Sequence, residues 1–291
     1  TVAKLVLFGL AARNVPYEKV IKDIGIINIS IGSFVILSAY LGIIENRIVY
    51  QSEKYYYLGF TNPNTVAILL FTIFPIINYL YYEKIDLKSI TIQSIIAFII
   101  FYFTKSRAFA IAMVVMIVLI LIDKYIISIL KLLCGKITKK VIINLFFIFT
   151  VLSYLGAKNY ASNVLMSKLN LLLSWRLWFW NKYVSSLSIS LLGLDFEWET
   201  LGTLDNAYLV LLYRYGLIIW IIYMIIFSYI TKSALNTNNS IMLILIIVYE
   251  VYLLVESYPS MVNANIVILY FFSLFWAKNY TKNTRKEIIT R

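Results

Sequence analysis

The sequence predicts an all-α, polytopic membrane protein: a transmembrane helical bundle of about eight full spans plus a partial one, with one large outer loop. Three observations predict it. Of 291 residues, 62% are apolar and only 14% charged, with mean hydropathy +0.84, whereas soluble domains carry roughly a quarter charged residues. Apolar runs near the length of a spanning helix, about 20 residues, recur along the chain. Lys and Arg gather in the short stretches between those runs, as cytoplasmic loops do under the positive-inside rule.

The elements follow in order. Thr1–Ala12 is about half a span and opens without Met, so it is expected to be the remainder of a helix cut from a longer chain. Eight longer runs are expected to cross: Ile24–Ile44, Asn64–Tyr82, Ser89–Phe103, Ala108–Ile122, Val141–Ala157, Ala207–Ile230, Ser240–Ser257 and Val262–Ala277. Together they make residues 1–291 a single integral membrane domain.

Orientation follows from the basic residues. With the tail after Trp276 in the cytoplasm, the inner stretches hold 16 Lys and Arg and the outer ones 8. The formal charge of +12 is therefore assigned to topology and the lipid bilayer, not to nucleic acid. The inner loops are too short for a separate cytoplasmic domain. The outer side keeps 45–63, the turn at 104–107, the stretch 158–206 and the turn near Pro259.

The stretch 158–206 is the large extracytoplasmic loop. Ala161–Leu173 has apolar residues at helical intervals, and Trp175, Trp178 and Trp180 follow closely. Such a pattern suits an amphipathic helix at the bilayer surface, and an interfacial anchor is favoured over a sugar platform. Leu191–Asp195 reads as a turn. Asp195-Phe196-Glu197 has the form of an acidic metal motif, a weak signal when alone. No internal repeat is visible, which weighs against transporters built from inverted halves.

Composition restricts the chemistry. There is no His and a single Cys134, which excludes His bases, Ser-His or Cys-His triads, an internal disulfide and Cys-cluster metal sites. Carboxylates, Arg, Lys and Tyr remain. Ionisable residues at membrane depth are costly and mark function. Arg107 lies in a tight outer turn and could equally snorkel to lipid phosphate. Arg214 is eight residues into its span, about 12 Å along a helix, and could form a structural ion pair with Glu250 or Glu256. Glu256 could reach water at the outer end. Asp205, with Asn206, could be a helix N-cap.

Arg107, Arg176 and Asp205 are all expected on the outer face near the membrane. Arg binds phosphate oxygens bidentately and keeps its charge. A carboxylate can accept a proton from a hydroxyl nucleophile. Displacement of a lipid diphosphate by a sugar hydroxyl needs those groups, with arginines stabilising the departing diphosphate in place of a metal ion.

The run Asp205–Ile218, containing Asp205-Asn206-Ala207-Tyr208 and Tyr213-Arg214-Tyr215-Gly216, resembles the late motif of O-antigen and capsular polysaccharide polymerases of the Wzy type. Gly59-Phe60-Thr61-Asn62-Pro63-Asn64 is similar to the start of a span in that superfamily. Ser106-Arg107-Ala108 resembles its S-R motif. Arg176 with the following Trp residues and Leu192-Gly193 resembles the pattern of its large loop. The matches run in order across about residues 59–218. The ligase relatives usually show His-Asn where this chain has Asp205-Asn206.

The resemblance implies a GT-C-like, metal-independent membrane glycosyltransferase with no cofactor. Its substrate would be undecaprenyl-diphosphate-linked oligosaccharide, polymerised into cell-surface polysaccharide on the outer face of a bacterial cytoplasmic membrane. A chain-length regulator and a flippase are the partners it implies. Carried over, Arg107, Arg176 and Asp205 are the candidate catalytic residues. Asn206, Tyr208, Arg214, Glu250 and Glu256 are the candidate substrate-binding residues. The alternatives are an O-antigen-type ligase passing glycan to another acceptor, or a transporter of lipid-linked oligosaccharide.

Overall fold

The computed structural model describes residues 7, 9–13, 15–50, 54–162, 164–173, 175–195, 201–257 and 265–274. The chain divides into two compact units, Thr1–Ile126 with Ser260–Arg291, and Ile127–Pro259.

In the first unit, helix α1 (Tyr17–Tyr40) packs along α2 (Pro63–Leu80). Glycines on α1 permit the approach: a Cβ on Gly25 or Gly32 would stand 3.3 Å from Ile76 or 3.1 Å from Leu69. Buried Asn28 donates to Thr72 across the pair at 2.8 Å, which satisfies a polar group that would be costly in lipid. A two-stranded hairpin, β1 (Ile48–Tyr50) and β2 (Lys54–Tyr56), fills the connection. The Gly-Phe-Thr-Asn-Pro-Asn motif has a local explanation. Gly59 takes φ +84°, with the Val35 carbonyl 3.0 Å from where a Cβ would be. Asn62 then caps α2 by accepting from the Asn64 amide at 2.8 Å, and Pro63 starts the helix where its missing N–H costs nothing.

Helix α3 (Leu87–Thr104) begins at an Asp86–Ser89 capping box. Only Ile90, Ala97 and Thr104 are buried on it, while Ile92, Ile95, Phe98 and Ile99 are exposed. A helix that turns apolar side chains outward over most of its circumference needs lipid around it. Lys105, with φ +52°, turns the chain into α4 (Arg107–Leu121), which continues as a π-helical turn, Ile122–Ile126.

The second unit contains α5 (Ile129–Leu132), α6 (Lys136–Ile143), α7 (Leu145–Lys158), α8 (Val164–Leu172), α9 (Arg176–Ser186), α10 (Ala207–Val210), α11 (Gly216–Asn236) and α12 (Ser240–Val255). Helix α12 is buried along most of its length and packs against α5, α7, α10 and α11. Ala207–Asn236 is one broken span: α10, a π-helical turn Leu211–Tyr215, then α11.

Among the described residues, five helices are long and apolar enough to cross a membrane, or six if α6 and α7, bent by 64°, form one span. The protein is therefore a mostly helical chain whose apolar helices fit a membrane-embedded protein. The expected eight full spans are not reached in this set. The run Val141–Ala157 is divided at Asn144, and α12 has only 16 residues, about 24 Å of helix. Residues 266–274 are helical, but the rest of Val262–Ala277, and most of Thr1–Ala12, lie outside the described residues.

Candidate functional site

Three ionisable side chains of the second unit converge: Arg176, Asp205 and Glu256. Each is positioned by its own element. Arg176 opens α9, which lies against α7. Leu177, Trp180 and Tyr183 form its buried face, and Asn181 donates to the Ala157 carbonyl at 3.0 Å. The Trp-bearing helix expected to lie on the bilayer surface is thus seated by one face on protein. Trp175 stays 56% exposed, and the Lys182 ammonium lies 3.9 Å from the centre of the Trp178 ring.

Asp205 precedes α10. The cap of that helix is Asn206, whose Oδ1 accepts from the Leu209 amide at 3.0 Å. Of the two cap candidates in Asp205-Asn206, only the second does the capping. The Asp205 carboxylate faces Arg176 instead, with Oδ2 3.6 Å from a guanidinium nitrogen. Burial pushes the Asp205 carboxyl above the usual carboxylate range, and the Arg176 charge opposes part of that rise.

Asn206 does more than cap. Its Nδ2 donates to Ser153 Oγ of α7 at 2.9 Å and to the Leu254 carbonyl of α12 at 3.1 Å. One buried amide therefore ties three helices together. Two residues beyond Leu254, the chain leaves α12 in extended conformation at Glu256. Glu256 is 3% exposed and lies outside the helix. Its Oε1 accepts from the Ser257 amide at 3.2 Å, and Oε2 has no partner among the described residues. Burial first, then the like charge of Asp205, pushes it up to about 7, with Arg176 pulling the other way. Arg176 Nε is likewise buried and without a partner among the described residues. Buried polar groups left unpaired in a native fold need an explanation, and a polar ligand is one.

The other sequence-selected residues fall elsewhere. Tyr208 is fully buried, rests on Phe146 at 4.8 Å between ring centres, and donates to the Glu250 carbonyl at 2.7 Å. Glu250 is 1% exposed on α12, and its Oε2 has no partner among the described residues. Arg214 is exposed and lies in the π-helical turn Leu211–Tyr215, inside the span Ala207–Asn236. Glu250 shows no ion pair among the described residues, so the expected pairing with Arg214 is not made. Arg107 belongs to the first unit, where its exposed side chain starts α4. Asp195 is described, but Glu197 lies outside the described residues.

Sequence reasoning missed Tyr183 and the break itself. Tyr183 stands seven residues after Arg176 on the same helical face, and its hydroxyl donates to the Gly202 carbonyl. Burial, then the Asp205 charge, pushes its phenol up to about 12. At the break, Gly193 and Gly216 cross with φ +89° and +88°. A Cβ on Gly193 would stand 2.1 Å from the Arg214 carbonyl oxygen. The backbone amides of Leu194, Leu217 and Ile218 bond to the carbonyls of Tyr213, Ser190 and Leu191 at 3.0, 2.9 and 3.2 Å. Residues 190–194 thus satisfy main-chain groups that the break would leave open, a requirement for irregular backbone at membrane depth. The signal was present in the sequence as two isolated glycines, but nothing linear pairs them.

No family model matches the chain, and no curated protein or solved structure matches it.

Proposed function

We propose that this chain is a membrane glycosyltransferase that polymerises lipid-diphosphate-linked oligosaccharide repeat units into cell-surface polysaccharide. The observation that carries the reading is the Arg176–Asp205 pair with the buried carboxyl of Glu256 beside it. A guanidinium with a spare N–H suits the oxygens of a leaving diphosphate, and carboxyl groups next to it suit proton transfer from an incoming hydroxyl. The positive-inside pattern favours placing this cluster at the outer face of a bacterial cytoplasmic membrane, with the C-terminus cytoplasmic. Undecaprenyl diphosphate is the carrier that the motif resemblance suggests, and a flippase and a chain-length regulator are the partners it suggests. The reading uses the second unit alone, and Arg107 stays a candidate by motif.

Arg176→Ala in the full-length gene tests it. Surface glycan run on a gel is expected to collapse from a ladder to single repeat units, with the protein still inserted in membranes. A ladder of normal length would sink the assignment of this site.

A further inference from the structure

Asp205 and Glu256 have different surroundings although they are neighbours. Asp205 faces a guanidinium at 3.6 Å and keeps about a third of its side chain exposed. Burial raises this carboxyl and the adjacent positive charge opposes part of that rise, and its Oδ2 is turned toward Arg176. Glu256 is 3% exposed, receives one backbone amide on Oε1, and offers an unpartnered Oε2 among the described residues. No Lys or Arg forms an ion pair with it among those residues. The charged and titratable groups that act on it are Asp205 and Arg176. Its place is fixed through the main chain: Asn206 Nδ2 holds the Leu254 carbonyl, which sets the segment leaving α12 next to Asp205.

We infer that Glu256 is the group that takes the proton from the attacking sugar hydroxyl, while Arg176, positioned by Asp205, serves the departing diphosphate. This rests on the glycosyl-transfer reading above. The hydroxyl oxygen of the acceptor sugar forms a new bond to the anomeric carbon of the donor glycan. The bond from that carbon to the diphosphate oxygen breaks, and the lipid diphosphate departs with the electron pair. The hydroxyl proton passes to Glu256 Oε2 and from there to water, returning the carboxylate. A general base works best when its affinity for a proton is near the ambient pH, and the burial of Glu256, with Oε2 left unpartnered among the described residues, moves it that way. The division gives each acid one task, as environments that separate two carboxyl groups commonly do.

Azide separates base catalysis from every other role. It is an anion that attacks an anomeric carbon without losing a proton, so it bypasses a missing base. Membranes from cells expressing the full-length protein, carrying their own lipid-linked repeat units, are incubated with and without sodium azide. Wild-type membranes are expected to lengthen the glycan. Glu256→Gln is expected to lose roughly 10²–10⁴-fold of that rate, and azide is expected to release glycan from the lipid diphosphate as glycosyl azide. Arg176→Ala is expected to release none. Glu256→Asp keeps a carboxyl and is expected to retain part of the elongation, which serves if the Gln variant fails to insert. Elongation by Glu256→Gln at the wild-type rate overturns the inference, and so does loss of elongation with no glycosyl azide. Wild-type membranes that lengthen nothing overturn the polymerase reading itself, and the inference with it.

Discussion

Asp205 and Asn206 are adjacent, nearly isosteric and opposite in task, and exchanging what each contributes is the sharpest test of the site. Asn206→Ala removes a cap acceptor and two buried donated hydrogen bonds. Loss of an N-cap costs about 1 kcal/mol. Each side-chain hydrogen bond between membrane helices adds roughly 0.6 kcal/mol on average, and up to about 1.5 kcal/mol where the abandoned partner stays buried. The sum is about 2–4 kcal/mol. At roughly 2–4 °C per kcal/mol for a chain of this size, the thermal midpoint in detergent should fall by several degrees. Asp205→Asn keeps an acceptor oxygen opposite Arg176 and gives up a loose, partly exposed ion pair, worth at most about 1 kcal/mol. Its midpoint should move by no more than about 4 °C, yet chain extension should be lost. Asn206→Asp retains the cap acceptor without the two donors and should fall between them in stability. The assay is heating followed by fluorescence-detected size exclusion, run beside the surface-glycan gel. If Asp205→Asn destabilised the protein as much as Asn206→Ala, Asp205 would be a structural residue. If Asn206→Ala left the midpoint unchanged, the tie between α7, α10 and α12 would not exist.

Two further predictions concern the break and pH. Gly193→Ala places a Cβ 2.1 Å from the Arg214 carbonyl at φ +89°, so residues 190–194 cannot dock and the yield of folded protein should drop sharply. Gly42→Ala has a similar backbone at φ +74° but open space around it; it should cost only about 1–2 kcal/mol of conformational strain, and equal loss in both variants would refute the crossing of Gly193 and Gly216. The elongation rate in membrane vesicles should rise with pH through about 7, because Glu256 is held near that value and only its carboxylate accepts a proton. That limb should vanish in Glu256→Gln, and its persistence there would assign it to another group.

Several parts of the molecule were legible in the linear order of residues. The apolar runs located α2, α3 and α4 to within two residues, and α1 with its start set seven residues late, because a spanning helix must be long, apolar and internally hydrogen-bonded whatever its neighbours. The motif resemblance places Gly59–Asn64 at the start of a span, and the local cause is the Asn62 cap with Pro63 at the first helical position. The sequence also named Arg176, Asp205 and Glu256, since a charge near lipid is expensive enough to stand out by its rarity.

What the sequence by itself determined, then, is the class of protein and a short set of chemically able residues. Tertiary structure alone decided which of them meet and what each is left to do. Asp205 and Asn206 are equally good caps in isolation, and only the neighbouring Ser153 and Leu254 make the amide the cap and leave the carboxylate for Arg176. Arg214 reads as a residue of a regular helix, but the chain there makes a π-helical turn ending at Gly216, and residues 190–194 bond to the backbone around it. Glu256 reads as a group near the end of a span, but packing buries it. Hydrophobicity and helix propensity act along the chain and can be read from it. Burial, pairing and the proton affinity that follows from them depend on residues well separated along the chain, and those meet only after the helices have packed.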